Sequence, residues 1–347
     1  MFYRYPQKKN LLIIAAGLLV LFFHLSVHAD QSSCIIDHTC TDISQVPACW
    51  IAKAKAEFKI SYGHTSHGSQ LVTGMELLRT QSDLYSFNYD GNSGALSLHD
   101  RKPSGDLGNP DRTTWAQRTR DLLNATGNDI NLIMWSWCGQ VSIAGEKDIA
   151  TYLTLMNQLE ADYPDVTFVY MTGHLNGTGE GGDLNIRNNQ IRNYCAANNK
   201  ILFDFADIES YDPAGNYFLD RGATDSCNYK DGNWADEWCT THPDECSSCS
   251  CAHSHCLNCQ LKGRAFWWMM ARLAGWNPSP LLVTPTIFLT TEGRSISTSW
   301  DSVADADGYI LFYASYPDVS YIGSADMDNH TNLSLDMWPG AAFYLVV

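Results

Sequence analysis

The chain has 347 residues, with 22 Lys plus Arg set against 38 Asp plus Glu, for a formal charge of −16. Apolar residues make up 45% and charged residues only 17%, a balance that can bury a large core and excludes intrinsic disorder. So acidic a surface repels phosphate backbones and argues against nucleic acid as a partner.

Arg4, Lys8 and Lys9 precede an apolar run from Leu11 to Phe23 and a polar stretch ending Val27-His28-Ala29. This is the order of a secretory leader cleaved after Ala29, so residues 1–29 are expected to be a signal peptide and the mature chain secreted or periplasmic. The run is short for the ~20 residues of a membrane span, so no membrane association is expected after leader removal. Losing three basic and no acidic groups takes the mature charge to 19 − 38 = −19.

Residues 30–55 hold Cys34, Cys40 and Cys49, two of which an exported chain would most simply pair to staple its N-terminus. Glu57 to Tyr62 reads as a strand running into the turn Gly63-His64-Thr65-Ser66-His67-Gly68, and residues 69–80 have helical spacing. Ser82 to Arg112 is rich in Gly, Asn, Asp and Ser and is expected to be a long functional loop. A helix over 114–124 leads to a buried strand, Ile130 to Trp137, ending in Cys138-Gly139-Gln140. A helix over 146–163 leads to a strand over 166–172, ending in Gly173-His174-Leu175-Asn176. A helix over 184–198 leads to a strand over 201–205. Apolar strands alternating with helices predict a parallel sheet covered on both faces. Working residues in such sheets sit beyond the carboxyl ends of strands, so the tips after Tyr62, Trp137, Thr172 and Phe205 should converge.

Residues 210–262 read as irregular and carry seven cysteines, and residues 262–274 read as an amphipathic helix. Pro278, Pro280 and Pro285 mark a linker over 278–285. Beyond it, alternating strands at 295–300, 309–314 and 343–347 have the pattern of a small β-sandwich.

Ser66, in a tight turn between a strand and a helix, has the exposure a nucleophilic serine needs, with helix amides nearby for an oxyanion. A helix N-cap is the plainer role for the same residue. A serine nucleophile needs a base, for which histidine is usual. Neighbours on a turn point in different directions, so His64 and His67 read as pocket walls that bind substrate. His253, in a loop just before the last helix of the α/β domain, could reach back as the base. Asn176 could bind substrate hydroxyls or cap a turn. Cys138 reads as a buried free thiol.

The turn serine, the strand ending Cys138-Gly139-Gln140 and the late Cys251-Ala252-His253-Ser254 before a terminal helix together resemble the SGNH (GDSL-like) hydrolase superfamily over residues 57–277. The resemblance implies a three-layer α/β/α fold with Ser66 as nucleophile and His253 as base. It also implies a loop glycine, Gly105 or Gly108, and Gln140 as oxyanion donors. The first block departs from Gly-Asp-Ser, and Ser250 stands where an Asp would precede the histidine. Asp236, Asp244, Glu245 or a backbone carbonyl would then have to orient His253.

The cluster Cys246-x-x-Cys249-x-Cys251…Cys256-x-x-Cys259 invites zinc, but the spacing between its pairs is short for a zinc ribbon, and disulfides are the default in an oxidising compartment. The C-terminal segment resembles a fibronectin type III module with Trp300 and Tyr309 as core aromatics, stopping after its sixth strand. The sequence therefore predicts two domains, residues 30–277 and 286–347. The expected function is an exported, cofactor-free and metal-free serine esterase acting on a small-molecule or carbohydrate ester. Two rivals are a non-catalytic carbohydrate- or surface-binding protein on the same scaffold and a metal protein built on the Cys/His cluster.

Overall fold

A computed structural model describes residues 34–278, 285–303, 306, 308–315, 322–336 and 343–346. The expected leader and most of the expected linker lie outside these residues. Seven strands form one sheet: β1 (Cys34–Ile36), β2 (Lys59–Gly63), β3 (Phe87–Asn88), β4 (Leu96–Asp100), β5 (Leu132–Trp135), β6 (Thr167–Met171) and β7 (Ile201–Phe203). Their order is β1-β7-β6-β5-β2-β4-β3, and every pairing is parallel. The helices are α1 (Ala48–Glu57), α2 (Ser69–Gln81), α3 (Thr114–Leu123), α4 (Glu146–Asp162), α5 (Asp183–Ala197), α6 (Phe205–Ile208), α7 (Trp234–Thr241) and α8 (Cys256–Leu273).

Side chains alternate across the sheet as the pleat requires. Ile60, Tyr62, Leu132 and Met134 face one core with Leu71 and Met75 of α2 and Phe266 and Met270 of α8. Ile133, Trp135, Phe168 and Tyr170 face another with Trp115 of α3, Tyr152 and Met156 of α4 and Ile191 of α5. The sheet is thus covered on both faces, as its long apolar strands demand. Strands β2, β4, β5, β6 and β7, numbered by themselves, run 2-1-3-4-5, a doubly wound order whose switch point falls between β2 and β5. A crevice beyond those two strand ends is the natural ligand site of such a sheet.

Four expectations need correction. Cys34, Cys40 and Cys49 are all free thiols, because the N-terminal segment is held otherwise. Strand β1 pairs with β7, while Ile36, Val46, Ile51 and Ala54 enter the core. The segment 82–112 is not all loop, since it contributes β3 and β4 to the sheet edge. The last helix begins at Cys256 and is buried on nearly every side rather than amphipathic, because α1, α2, the sheet and the N-terminal segment surround it. The stretch 210–262 also holds a small hairpin, β8 (Asn228–Tyr229) and β9 (Gly232–Asn233), ahead of α7.

The C-terminal region forms two three-stranded antiparallel sheets. One contains β10 (Ile287–Glu292), β11 (Ser295–Trp300) and β14 (Asn332–Asp336). The other contains β12 (Ile310–Ser315), β13 (Ile322–Asp326) and β15 (Phe343–Val346). Trp300 meets Tyr309 edge-on at 5.8 Å between ring centroids. Trp50 of α1 meets Phe312 of β12 in the same manner at 5.4 Å.

Candidate active site at the switch point

The end of β5 is pinned from two sides. Ser136 N–H donates to Gly63 O at 3.0 Å, its carbonyl accepts from Leu107 N–H at 3.1 Å, and Trp137 Nε1 donates to Met171 O at 3.2 Å. The next residue, Cys138, is thereby carried over the ends of β2 and β5, and its half-buried side chain meets the turn after β2. His67 Nδ1 lies 3.0 Å from Cys138 Sγ, and its Nε2 lies 3.1 Å from Asp225 Oδ2. Ser66 Oγ is 3.5 Å from the same sulfur. A thiol, an imidazole and a carboxylate are therefore aligned in series, the constellation of a nucleophile, its base and the group that orients the base.

The electrostatics agree with that order. Burial pushes the Cys138 thiol up, but hydrogen bonds from His67, Ser66 and Thr65 and the His67 charge outweigh it and bring it down to about 5. Burial disfavours the His67 imidazolium, yet bonding to Asp225 and Cys138 raises it to about 9. The two titrations belong to the pair, which near neutrality is a thiolate facing an imidazolium. Burial raises the Asp225 carboxyl, but the His67 hydrogen bond leaves it lowered on balance. Cys34, Cys40, Cys49, Cys195 and Cys227, the other free cysteines, all have thiols pushed up by burial. Only a lowered thiol is a strong nucleophile at neutral pH, which singles out Cys138.

The His67 ring is sandwiched. His174 stacks on one side at 4.0 Å and 12°, and His253 stacks at 4.4 Å and 14°. His253 is exposed, at φ 60°. Ser66 and His253 thus approach the same rim, but the hydrogen-bond partner of Ser66 Oγ is Cys138 and the contact of His253 is the face of His67. No hydrogen bond joins Ser66 to His253, so the expected serine–histidine pair is not made here. Asp236 lies 3.4 Å from His255 rather than serving His253.

The remaining expected residues separate. His64 is buried, with Nδ1 bonded to Thr65 O at 2.7 Å and Nε2 to Asp100 Oδ1 at 2.7 Å, so both ring nitrogens are engaged in holding the turn. Asn176 is exposed and caps its own turn through Thr178. Gly108 (φ 82°) and Gln140 do come together beside Cys138: a side chain at 108 would run into Arg112 Nη1 and Gln140 Cβ. Gln140 Oε1 is buried without a hydrogen-bond partner.

The cysteine cluster forms the disulfides Cys239–Cys246, Cys249–Cys256 and Cys251–Cys259, which removes it as a zinc site. The last two bracket His253 and fasten its irregular loop to the start of α8. Ligand atoms of His67, His174 and Asp225 lie within 4.8 Å of one another, and His174 Nε2 is buried with no partner. That spacing would accept a divalent cation, but both ring nitrogens of His67 already have partners. Asp37, His38 and Asp207 form a second such group, with the His38 ring stacked on Tyr211.

Among the described residues no helix is long and apolar enough to cross a membrane. Compared with protein-family models, with curated proteins and with solved structures, the chain matches none.

Proposed function

We propose that the protein is a hydrolase of acyl substrates with Cys138, not Ser66, as its nucleophile. The observation that carries this reading is the 3.0 Å approach of His67 Nδ1 to Cys138 Sγ with Asp225 behind the ring. The Cys138 thiolate attacks the substrate carbonyl carbon, forming a C–S bond and an oxyanion. The Gln140 side-chain amide is the donor we assign to that oxyanion, and loss of one such donor typically costs about 10²–10³ in rate. On collapse, His67 Nδ1–H protonates the departing alcohol and leaves a thioester on Cys138. Neutral His67 then takes a proton from water, whose oxygen attacks the thioester carbonyl, and the C–S bond breaks to restore the thiolate. Asp225 holds the ring and stabilises its charge in both steps.

This keeps the ester chemistry implied by the SGNH resemblance, with a carbohydrate acyl ester as one substrate class, and moves the nucleophile by one strand tip. The parallel 2-1-3-4-5 core and the position of Gln140 support the resemblance. Labelling distinguishes the readings. Iodoacetamide at pH 6 should modify Cys138 selectively and abolish p-nitrophenyl acetate hydrolysis, with no fluorophosphonate adduct on Ser66. A fluorophosphonate adduct on Ser66 would restore the serine reading. Stoichiometric metal with chelator-sensitive turnover would move the chemistry to His67, His174 and Asp225. A carbohydrate bound and recovered unmodified, with no turnover of any ester, would favour a binding protein.

A further inference from the structure

The chemistry above makes no use of one pair of fully buried charges. Lys262 of α8 and Glu209, just after α6, are both fully buried. Lys262 Nζ donates to Glu209 Oε1 at 2.6 Å and to Gln70 Oε1, and it lies 3.9 Å from the centre of the Phe205 ring. A buried ion pair is a poor device for stability, since apolar residues of similar volume often do as well. Where such a network is satisfied throughout, it can instead fix a unique arrangement.

The outer bonds of this network all end on the candidate site. Glu209 Oε2 accepts from Leu175 N–H at 2.7 Å. The Leu175 carbonyl in turn accepts from His174 Nδ1 at 2.8 Å and from Asp225 N–H at 3.2 Å. Gln70 Nε2 donates to Ala252 O at 2.7 Å, one residue before His253, and Gln70 N–H donates to His67 O at 3.1 Å. Helices α2 and α8 can bring Gln70 and Lys262 together because Gly74 and Gly263 let their backbones touch: a Cβ on Gly263 would lie 2.2 Å from Gly74 C.

We propose that Gln70, Glu209 and Lys262 are positioning residues that hold His174, Asp225 and His253 around the His67 ring. This rests on the thiol reading of the site. Glu209 governs the tip that supplies the carboxylate and one stacked ring, while Gln70 governs the disulfide-bracketed loop that supplies the other. Lys262 joins the two, so displacement of either tip is felt by the base. The titratable groups facing that base are Cys138, Asp225, His174 and His253, with Glu209 farther off.

The test uses Gln70→Glu, which keeps an acceptor for Lys262 but cannot donate to Ala252 O, and the charge-neutral pair Lys262→Met with Glu209→Gln. Labelling of Cys138 by iodoacetamide, mapped by peptide mass, is followed against pH alongside kcat, KM and thermal unfolding. In the folded variants the acid limb of the labelling profile should move up by about one pH unit as the base loses its fixed orientation. We expect kcat to fall about tenfold with KM little changed. A wild-type profile and kcat in Gln70→Glu overturn the proposal, as does a lower Tm with the profile unmoved, which marks a network that only stabilises. Should the double variant not fold, Gln70→Glu decides alone. Labelling does not depend on turnover, so a Cys138→Ala protein that still hydrolyses ester removes the thiol reading without touching this result.

Discussion

Cys138 Sγ lies 3.0 Å from His67 Nδ1 although 71 residues separate them in the chain. The two meet because β2 and β5 are neighbours in the sheet and each residue follows its strand by only a few positions. A contact made by adjacent strand ends is anchored in the most rigid part of the fold, which is where a nucleophile and its base need to be held.

Substitution at the two candidate nucleophiles follows directly. Cys138→Ala removes the attacking atom and should lower kcat for p-nitrophenyl acetate by at least ~10³-fold. Ser66→Ala removes one hydrogen bond to a charged sulfur, about 1.5–3 kcal/mol, and should retain between roughly a tenth and a hundredth of turnover. The reverse ranking, measured on proteins with equal unfolding transitions, would falsify the assignment.

The pH dependence is set by the same pair. The Cys138 thiol lies down at about 5 and the His67 imidazolium up at about 9. Attack needs the thiolate, and expulsion of the leaving group needs the imidazolium. Both are present only between those limits, so kcat/KM should trace a bell with limbs near 5 and 9. A single limb near the ordinary thiol range of ~8.5 would mean that the two groups do not share a proton.

Asp225 acts on the alkaline limb. Asp225→Asn keeps a polar group beside His67 Nε2 but removes the negative charge that favours the imidazolium. One opposite charge at this range is worth about 1–3 pH units, so the alkaline limb should fall by that amount while the acid limb moves up. An unchanged profile would mean that Asp225 holds the ring only by shape.

How much of this was legible in the sequence varies with how local the signal is. The strand predicted over 166–172 is β6, and the helix predicted over 146–163 is α4, because continuous apolar runs and a 3.6-residue period need no distant partner. Strand β4 carries no such local signal: Leu96–Asp100 is five residues long and flanked by Gly, Asn and Ser, and its docking between β2 and β3 makes it a strand. The convergence of the tips after β2, β5 and β6 was readable from alternation alone. The pairing within them was not, since Asp225 comes from an irregular stretch 158 residues beyond His67. One clue was available in Cys138, a cysteine set apart from the disulfide cluster at a strand tip in a chain with several histidines.

Helix packing offers a test of the support beneath the site. A methyl group on Gly263 would meet Gly74 C at 2.2 Å and Met75 N at 2.6 Å, both backbone atoms that cannot rotate away. Gly263→Ala must therefore push α2 and α8 apart, at a cost typical of overpacking, ~1–3 kcal/mol. The melting temperature should drop by roughly 2 °C or more for a chain of this size. An equal or higher Tm would mean that the two helices do not cross at these glycines.

His253 separates the expected arrangement from the observed one. If its imidazole were the base, His253→Ala would reduce kcat as severely as Cys138→Ala does. In the observed geometry its ring stacks on His67 at 4.4 Å and makes no hydrogen bond to Cys138 or Ser66. Stacked aromatic pairs are worth about 0.5–1.5 kcal/mol, so His253→Ala should cost kcat roughly 2–10-fold. His67→Ala, which removes the donor that lowers the Cys138 thiol, should eliminate turnover and return iodoacetamide labelling to the alkaline range. Comparing kcat and the labelling profile in these two variants assigns the base without reference to any substrate contact. A His253→Ala protein as inactive as His67→Ala, with Cys138 still labelled at pH 6, would return the base to position 253.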